Sequence, residues 1–225
     1  MKNRFFLFLL IGCLLASYES QSQDSLQRKR KEIHVGIGPA FYSGDLGSAY
    51  SSGSLLFNFG LKLNKDKKLN GNIKVAIGSI SGQELDYTTT DNTGITATPN
   101  TYFKTSFFGL NYEAQYNFVH REQLKVYISQ GIGLFRFNPK DQYDNDLIDQ
   151  PDTRPIGESY RNMIIQLPTQ LGAKYYLPND FAFGIQFGFI NPITDYLDNL
   201  GIWGNKNGND NILSIQFEIH APISF

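Results

Sequence analysis

The chain has 225 residues, with 20 Lys and Arg against 21 Asp and Glu and a formal net charge of −1. That balance argues against a nucleic-acid partner, which a clustered positive surface would serve. Aromatic residues make up 14% of the chain and Gly contributes 21 residues, and the one long apolar run lies near the start, so a soluble β-protein and a membrane barrel are the two classes left.

Lys2 and Arg4 precede an unbroken apolar run over residues 5–15, followed by small and polar residues, the layout of a secretory signal peptide. The run is shorter than the roughly 20 residues a membrane helix needs. Ser20 and Ser22 suit a cut before Gln23, so residues 1–22 are expected to be removed. Leu10, Ile11, Gly12 and Cys13 also resemble a lipoprotein box, but Leu14 and Leu15 continue the apolar run beyond Cys13, which favours the ordinary cut. The mature chain then has no cysteine, hence no disulfide or thiolate metal site, and carries 18 basic against 20 acidic residues. Residues 23–31 read as a basic periplasmic lead able to touch lipid phosphates or a partner, and residues 32–225 as the folded domain.

Eight segments follow in which apolar residues recur at every second place, the period of a strand with unlike faces. They are centred on Ile33, Val35, Ile37 and Phe41; on Leu55, Phe57, Phe59 and Leu61; on Ile73, Val75 and Ile77; and on Phe108, Leu110, Tyr112 and Tyr116. The later ones are centred on Leu124, Val126, Ile128, Ile132 and Leu134; on Met163, Ile165, Leu171 and Tyr175; on Phe181, Phe183, Ile185 and Phe187; and on Leu213, Ile215, Phe217 and Ile219. Between them stand mostly Gly, Ala, Asn and Gln with a few Lys and Glu, a composition suited to a narrow polar interior, while the Phe- and Tyr-rich face suits lipid.

The joins at residues 65–69, 119–123 and 177–180 are short; those at 44–53, 81–102, 138–161 and 191–210 are long. Short periplasmic turns alternating with long external loops predict an all-β, eight-stranded antiparallel up-and-down barrel in the outer membrane, with both termini periplasmic. The last strand ends on Phe225, the kind of terminal aromatic that barrel-assembly machinery reads.

Eight strands enclose room for side chains only, so Lys62, Lys74, Lys125 and Lys174 are expected to share the lumen with Glu113 and Glu218 as a plug of ion pairs and hydrogen bonds. Catalysis at the outer mouth would want a histidine base, yet His34 and His220 fall near the periplasmic rim and His120 in a turn. Acidic residues crowd the third loop from Asp141 to Asp152 and the fourth at Asp195, Asp198 and Asp210, without the spacing of an EF-hand loop. The chain is therefore read as a non-enzyme with no metal or cofactor. Asp45, Asn138, Pro139, Tyr196 and Asp198 mark the strand-to-loop junctions, where turn geometry competes with ligand contact as their role.

The runs FYSGDLG (41–47), YFKTSFFGLNYEAQYNF (102–118), GIGLFRFNPK (131–140), GESY (157–160), LPTQLGAKYYL (167–177) and TDYLDNL (194–200) carry a further likeness. With them the chain resembles the outer-membrane β-barrel family of Bacteroidota that includes PorG, a component of the type IX secretion system. The resemblance implies an eight-stranded barrel without catalytic residues that associates with periplasmic secretion-ring proteins. The third loop and the run IQLPTQLG depart from that pattern. A stand-alone barrel of the OmpA or OmpX kind, binding a surface ligand or other cells through its loops, is the alternative; a mouth-sited enzyme is the remote one.

Overall fold

The computed structural model describes residues 31–90, 96–97, 99–204 and 208–223. The expected signal peptide, Cys13, the lead before Lys31 and the terminal Phe225 lie outside the described residues.

Eight staves form the wall: β1 (Lys31–Ser43), β2 (Gly53–Lys62), β3 (Leu69–Gln83), β4 (Tyr102–His120), β5 (Leu124–Lys140), β6 in two pieces (Met163–Gln166 and Thr169–Tyr176), β7 (Ala182–Phe189) and β8 (Asn211–Ile223). Each pairs antiparallel with the next, and β8 returns to β1 from Lys31↔Ile223 to Ser43↔Asn211, so the barrel is closed and has no free edge. The gap in β6 has a simple cause. Pro168 has no N–H to give to the ladder, yet the register runs on from Gly133↔Gln166 to Gln130↔Thr169, and the Pro168 carbonyl still accepts from Gly131 N–H at 2.8 Å.

Alternation of the apolar residues sets which face meets which medium. Phe57, Ile77, Leu134, Phe183 and Phe217 are 49–61% exposed, and their like continue around the whole circumference. An unbroken apolar belt of this extent far exceeds what a water-soluble protein leaves bare, so it is the wall that faces hydrocarbon. The inward positions of the same strands are buried. Several are glycines because the lumen is crowded: a Cβ on Gly60 would strike the His34 ring, and one on Gly172 the Tyr127 ring.

The interior is not polar throughout, as its sequence composition suggested, but divided into two tiers. The half nearest the short turns holds the charged and amide side chains. The half nearest the long loops is apolar: Tyr42, Leu56, Ile80, Phe103, Phe107, Phe135, Phe137 and Ile212 from the strands meet Leu46, Leu147, Leu197 and Leu200 from the loops. The reason is that the loops fold down over the mouth and exclude water from that half, where each buried aromatic or aliphatic side chain then contributes roughly 1.5–3 kcal/mol. Two short elements stiffen this cover, a hairpin pairing Thr89–Thr90 with Thr96–Ala97 and a pair of 3-10 turns, Leu147–Asp149 and Pro151–Thr153.

Candidate functional site: the polar tier and the loop cap

The polar tier begins with the alternation of β1 and β8, which sends Glu32, His34, Glu218 and His220 inward from two neighbouring strands. His220 stands between two carboxylates, with Nδ1 2.8 Å from Glu32 Oε1 and Nε2 3.2 Å from Glu218 Oε2. His34 lies 3.6 Å from Glu218 and meets Asn72 Oδ1 through Nε2 at 3.1 Å. Across the lumen, Lys174 Nζ is 3.3 Å from Glu32, and the Tyr176 hydroxyl donates to the same carboxylate at 2.7 Å. A second ion pair sits higher, Lys74 with Glu113 at 3.0 Å; this lysine also donates to Gln170 and Gln186, and Asn72 and Asn111 donate to Glu113.

All six lumen residues named from sequence, Lys62, Lys74, Glu113, Lys125, Lys174 and Glu218, are buried inside the barrel. They do not all pair with one another. Lys62 and Lys174 both lie over the Tyr127 ring, at 5.3 and 5.1 Å, and Lys125 donates to the Lys65 carbonyl at 2.6 Å near the short-turn end. Sequence reasoning left out Glu32, His34, His220, Tyr127 and Tyr176, although their parity along the strands already pointed them inward. His34, Glu218 and His220 place one donor atom each within 4.8 Å of the others, a spacing a divalent ion could use.

Asp198 is the centre of the cap. Fully buried in the long loop between β7 and β8, it accepts the Tyr42 hydroxyl at 2.5 Å, the amides of Asp45 and Leu46 at 3.1 Å each, and the Leu200 amide at 2.9 Å. Asp210 accepts the same Tyr42 hydroxyl at 3.2 Å and the Leu197 amide at 2.7 Å. Around this hub, Tyr196 donates to Glu158 at 2.7 Å and stacks on Tyr160 at 4.6 Å, which stacks in turn on Phe137 of the barrel wall at 5.9 Å. Arg154 donates to the carbonyls of Leu147 and Ile148 and to Asn199, tying the third loop to the fourth.

Of the junction residues read from sequence, Asp45, Tyr196 and Asp198 therefore meet in one cap. Asn138 and Pro139 do not. Asn138 donates to Asp146 at 2.8 Å at the foot of the third loop, and Pro139 is buried in the wall opposite Thr105. The Asp45 amide donates to Asp198. Among the described residues no histidine stands in the cap: His34 and His220 belong to the lower tier and His120 ends β4 at the short-turn side.

Burial pushes Asp198 up to about 7, the Tyr42 hydrogen bond pulling the other way, and burial together with the Asp198 charge raises Asp210 well above the ordinary carboxylate range. Asp195 rises to about 6, from burial first. A carboxyl raised on folding stabilises the folded form fully below its unfolded pKa of about 3.9 and less as pH climbs. The cap is thus expected to be tightest near pH 4 and to loosen as pH rises through about 7. Amide exchange in residues 191–210, corrected for intrinsic rates, measures this; Asp198→Asn should flatten the profile, and opening that ignores pH would disprove the argument.

Two open hollows flank the filled lumen. One of about 340 Å³ lies beside the first loop, against Leu46, Ser48, Gln83 and Tyr102. The other, of about 490 Å³, lies at the opposite end between the three short turns and is lined by Lys65, Asp66, Arg121, Glu122, Lys125 and Asp180 among others.

No protein-family model and no curated relative matches the chain. Solved structures do. Neisserial surface protein A is 14% identical, with 87% of this chain and 97% of that one covered and a TM-score of 0.50. Ail, the attachment invasion locus protein of Yersinia pestis, solved in complex with the heparin analogue sucrose octasulfate, is 10% identical over 88% of this chain and all of its own, also at 0.50. Identities this low speak for the fold alone: this chain is a closed eight-stranded antiparallel barrel similar to those of outer-membrane proteins.

Proposed function

We propose that the protein is a sealed, non-catalytic outer-membrane barrel that acts as a structural adaptor, meeting periplasmic partners at its turn end. One observation carries this reading: among the described residues, side chains occupy the lumen from the ion pair of Glu32 with Lys174 up to the aromatic tier beneath Asp198, which argues against a transport route. Function then belongs to the two ends. The hollow between the short turns, with basic and acidic side chains side by side, is suited to a soluble protein partner. The resemblance to the family that includes PorG makes the periplasmic rings of type IX secretion the first partners to test.

A second reading has support of its own. Tyr143, Ile156 and Ile202 stand 74–107% exposed on the long loops, apolar side chains available to a surface ligand. This favours a stand-alone barrel that binds a ligand or cell through its cap.

Two measurements decide. In planar bilayers the purified protein should give no conductance steps, and steady channel openings would contradict the sealed lumen. Purification in mild detergent should bring down periplasmic proteins, and deletion of the gene should impair secretion. Unchanged secretion with no periplasmic companion would remove the adaptor role and leave the external one.

A further inference from the structure

The lumen face of the strands carries charges of both signs, but the outward face carries only one. Every strand carboxylate, Glu32, Glu113 and Glu218, points into the lumen and is buried. The outward faces carry cations instead. Apart from Lys31 at the periplasmic end, these are Lys104 on β4 with Arg136 and Lys140 on β5, all at the external end of two neighbouring strands.

Register fixes their arrangement. Lys104 is directly opposite Lys140, while Arg136 lies two outward positions lower on β5, between Phe108 of β4 and Met163 of β6. The ladder continues past Met163 through the bond from Phe137 N–H to the Asn162 carbonyl at 3.0 Å, which brings exposed Arg161 opposite Asn138. Carried on by one step, that register makes Arg161 a diagonal neighbour of Arg136. Below Arg136 the wall turns apolar at once with Leu134, Leu110 and Ile165. Above it come Ser106 and Asn138, then the two lysines. The cations thus begin where the hydrocarbon belt ends.

Lys140 has acidic company, Asp144 and Asp146 each at 3.9 Å. No such pair is found for Lys104, Arg136 or Arg161 among the described residues, so positive charge is left over at the edge of the lipid-facing wall. A guanidinium there can hold a phosphate with two parallel hydrogen bonds, and a lysine adds a point charge.

We propose that Arg136 and Arg161, assisted by Lys104, form a binding site for the phosphorylated headgroup of an outer-leaflet glycolipid, whose acyl chains lie along the apolar wall beneath. Charge complementarity selects the phosphate, and continuity with the lipid-facing belt selects a lipid over a free ion. The site rests on the outer-membrane reading with the loops external.

The test uses the full mature protein folded in detergent, its folded state checked by heat-dependent gel migration. The probes are purified lipopolysaccharide, the same material with its phosphates removed, and inorganic phosphate. Wild type is expected to bind lipopolysaccharide at least about tenfold more tightly than R136Q/R161Q, the loss of charge-assisted hydrogen bonds setting that scale. It should lose a similar factor on dephosphorylation and ignore millimolar inorganic phosphate, while K31Q at the other end stays at the wild-type value. Equal binding by wild type and R136Q/R161Q, or no effect of dephosphorylation, would overturn the proposal, as would displacement by inorganic phosphate. Failure of the folded protein to insert into lipid vesicles would instead defeat the membrane reading on which the site rests.

Discussion

Lys174→Met is expected to cost about 3–5 kcal/mol of folding stability, the usual penalty for leaving a buried charge without its partner. Lys174 and Glu32 are 1% and 0% exposed, so neither can turn to water when the other is lost. The substitution keeps the length of the side chain and its place over the Tyr127 ring but removes the ammonium that faces Glu32. The double variant Lys174→Met with Glu32→Gln removes both charges and should recover most of the loss. Urea unfolding in lipid vesicles, read by gel migration, measures both. A single variant as stable as wild type would show that His220 and Tyr176 hold Glu32 well enough alone.

Asp198→Ala should act elsewhere and in a different way. Its carboxylate receives one hydroxyl and three amides, and each buried donor left without an acceptor costs about 1–3 kcal/mol. The first and fourth loops would part at this point, since Asp45 and Leu46 come from one and Leu200 from the other. The expected result is rapid protease cleavage within residues 191–210 while the unfolding midpoint of the barrel barely changes. Cleavage at the wild-type rate, or collapse of the whole barrel, would show that the cap is not the separable unit described here.

The strands were legible because lipid enforces the period of two more strictly than a protein core does. Phe57, Phe59, Leu110 and Phe217 face outward as read, and the alternation of short and long connections matches the structure. What escaped was non-local. Tyr42 and Asp198 lie 156 positions apart, and no local pattern joins them. The apolar upper tier did leave a trace: Phe107 and Phe108 adjoin, so aromatic residues occupy both parities of β4 near the long loops, while on β5 Phe135 and Phe137 keep the inward one. Such doubling is what a strand shows where both of its faces are dry. The break in β6 was visible as Pro168, but whether a proline ends a strand or merely omits one bond depends on the neighbouring strands.

The bridge from His220 to Glu32 and Glu218 also bears on how the first and last strands find each other. Sliding β8 along β1 by two residues would keep every greasy side chain in the membrane, so lipid cannot tell the correct seam from the shifted one. It would, however, carry His220 away from its place opposite His34 and leave Glu32 facing the wrong neighbour. The inner charges thus work as a key for closure, rejecting an alignment to which the outer surface is blind.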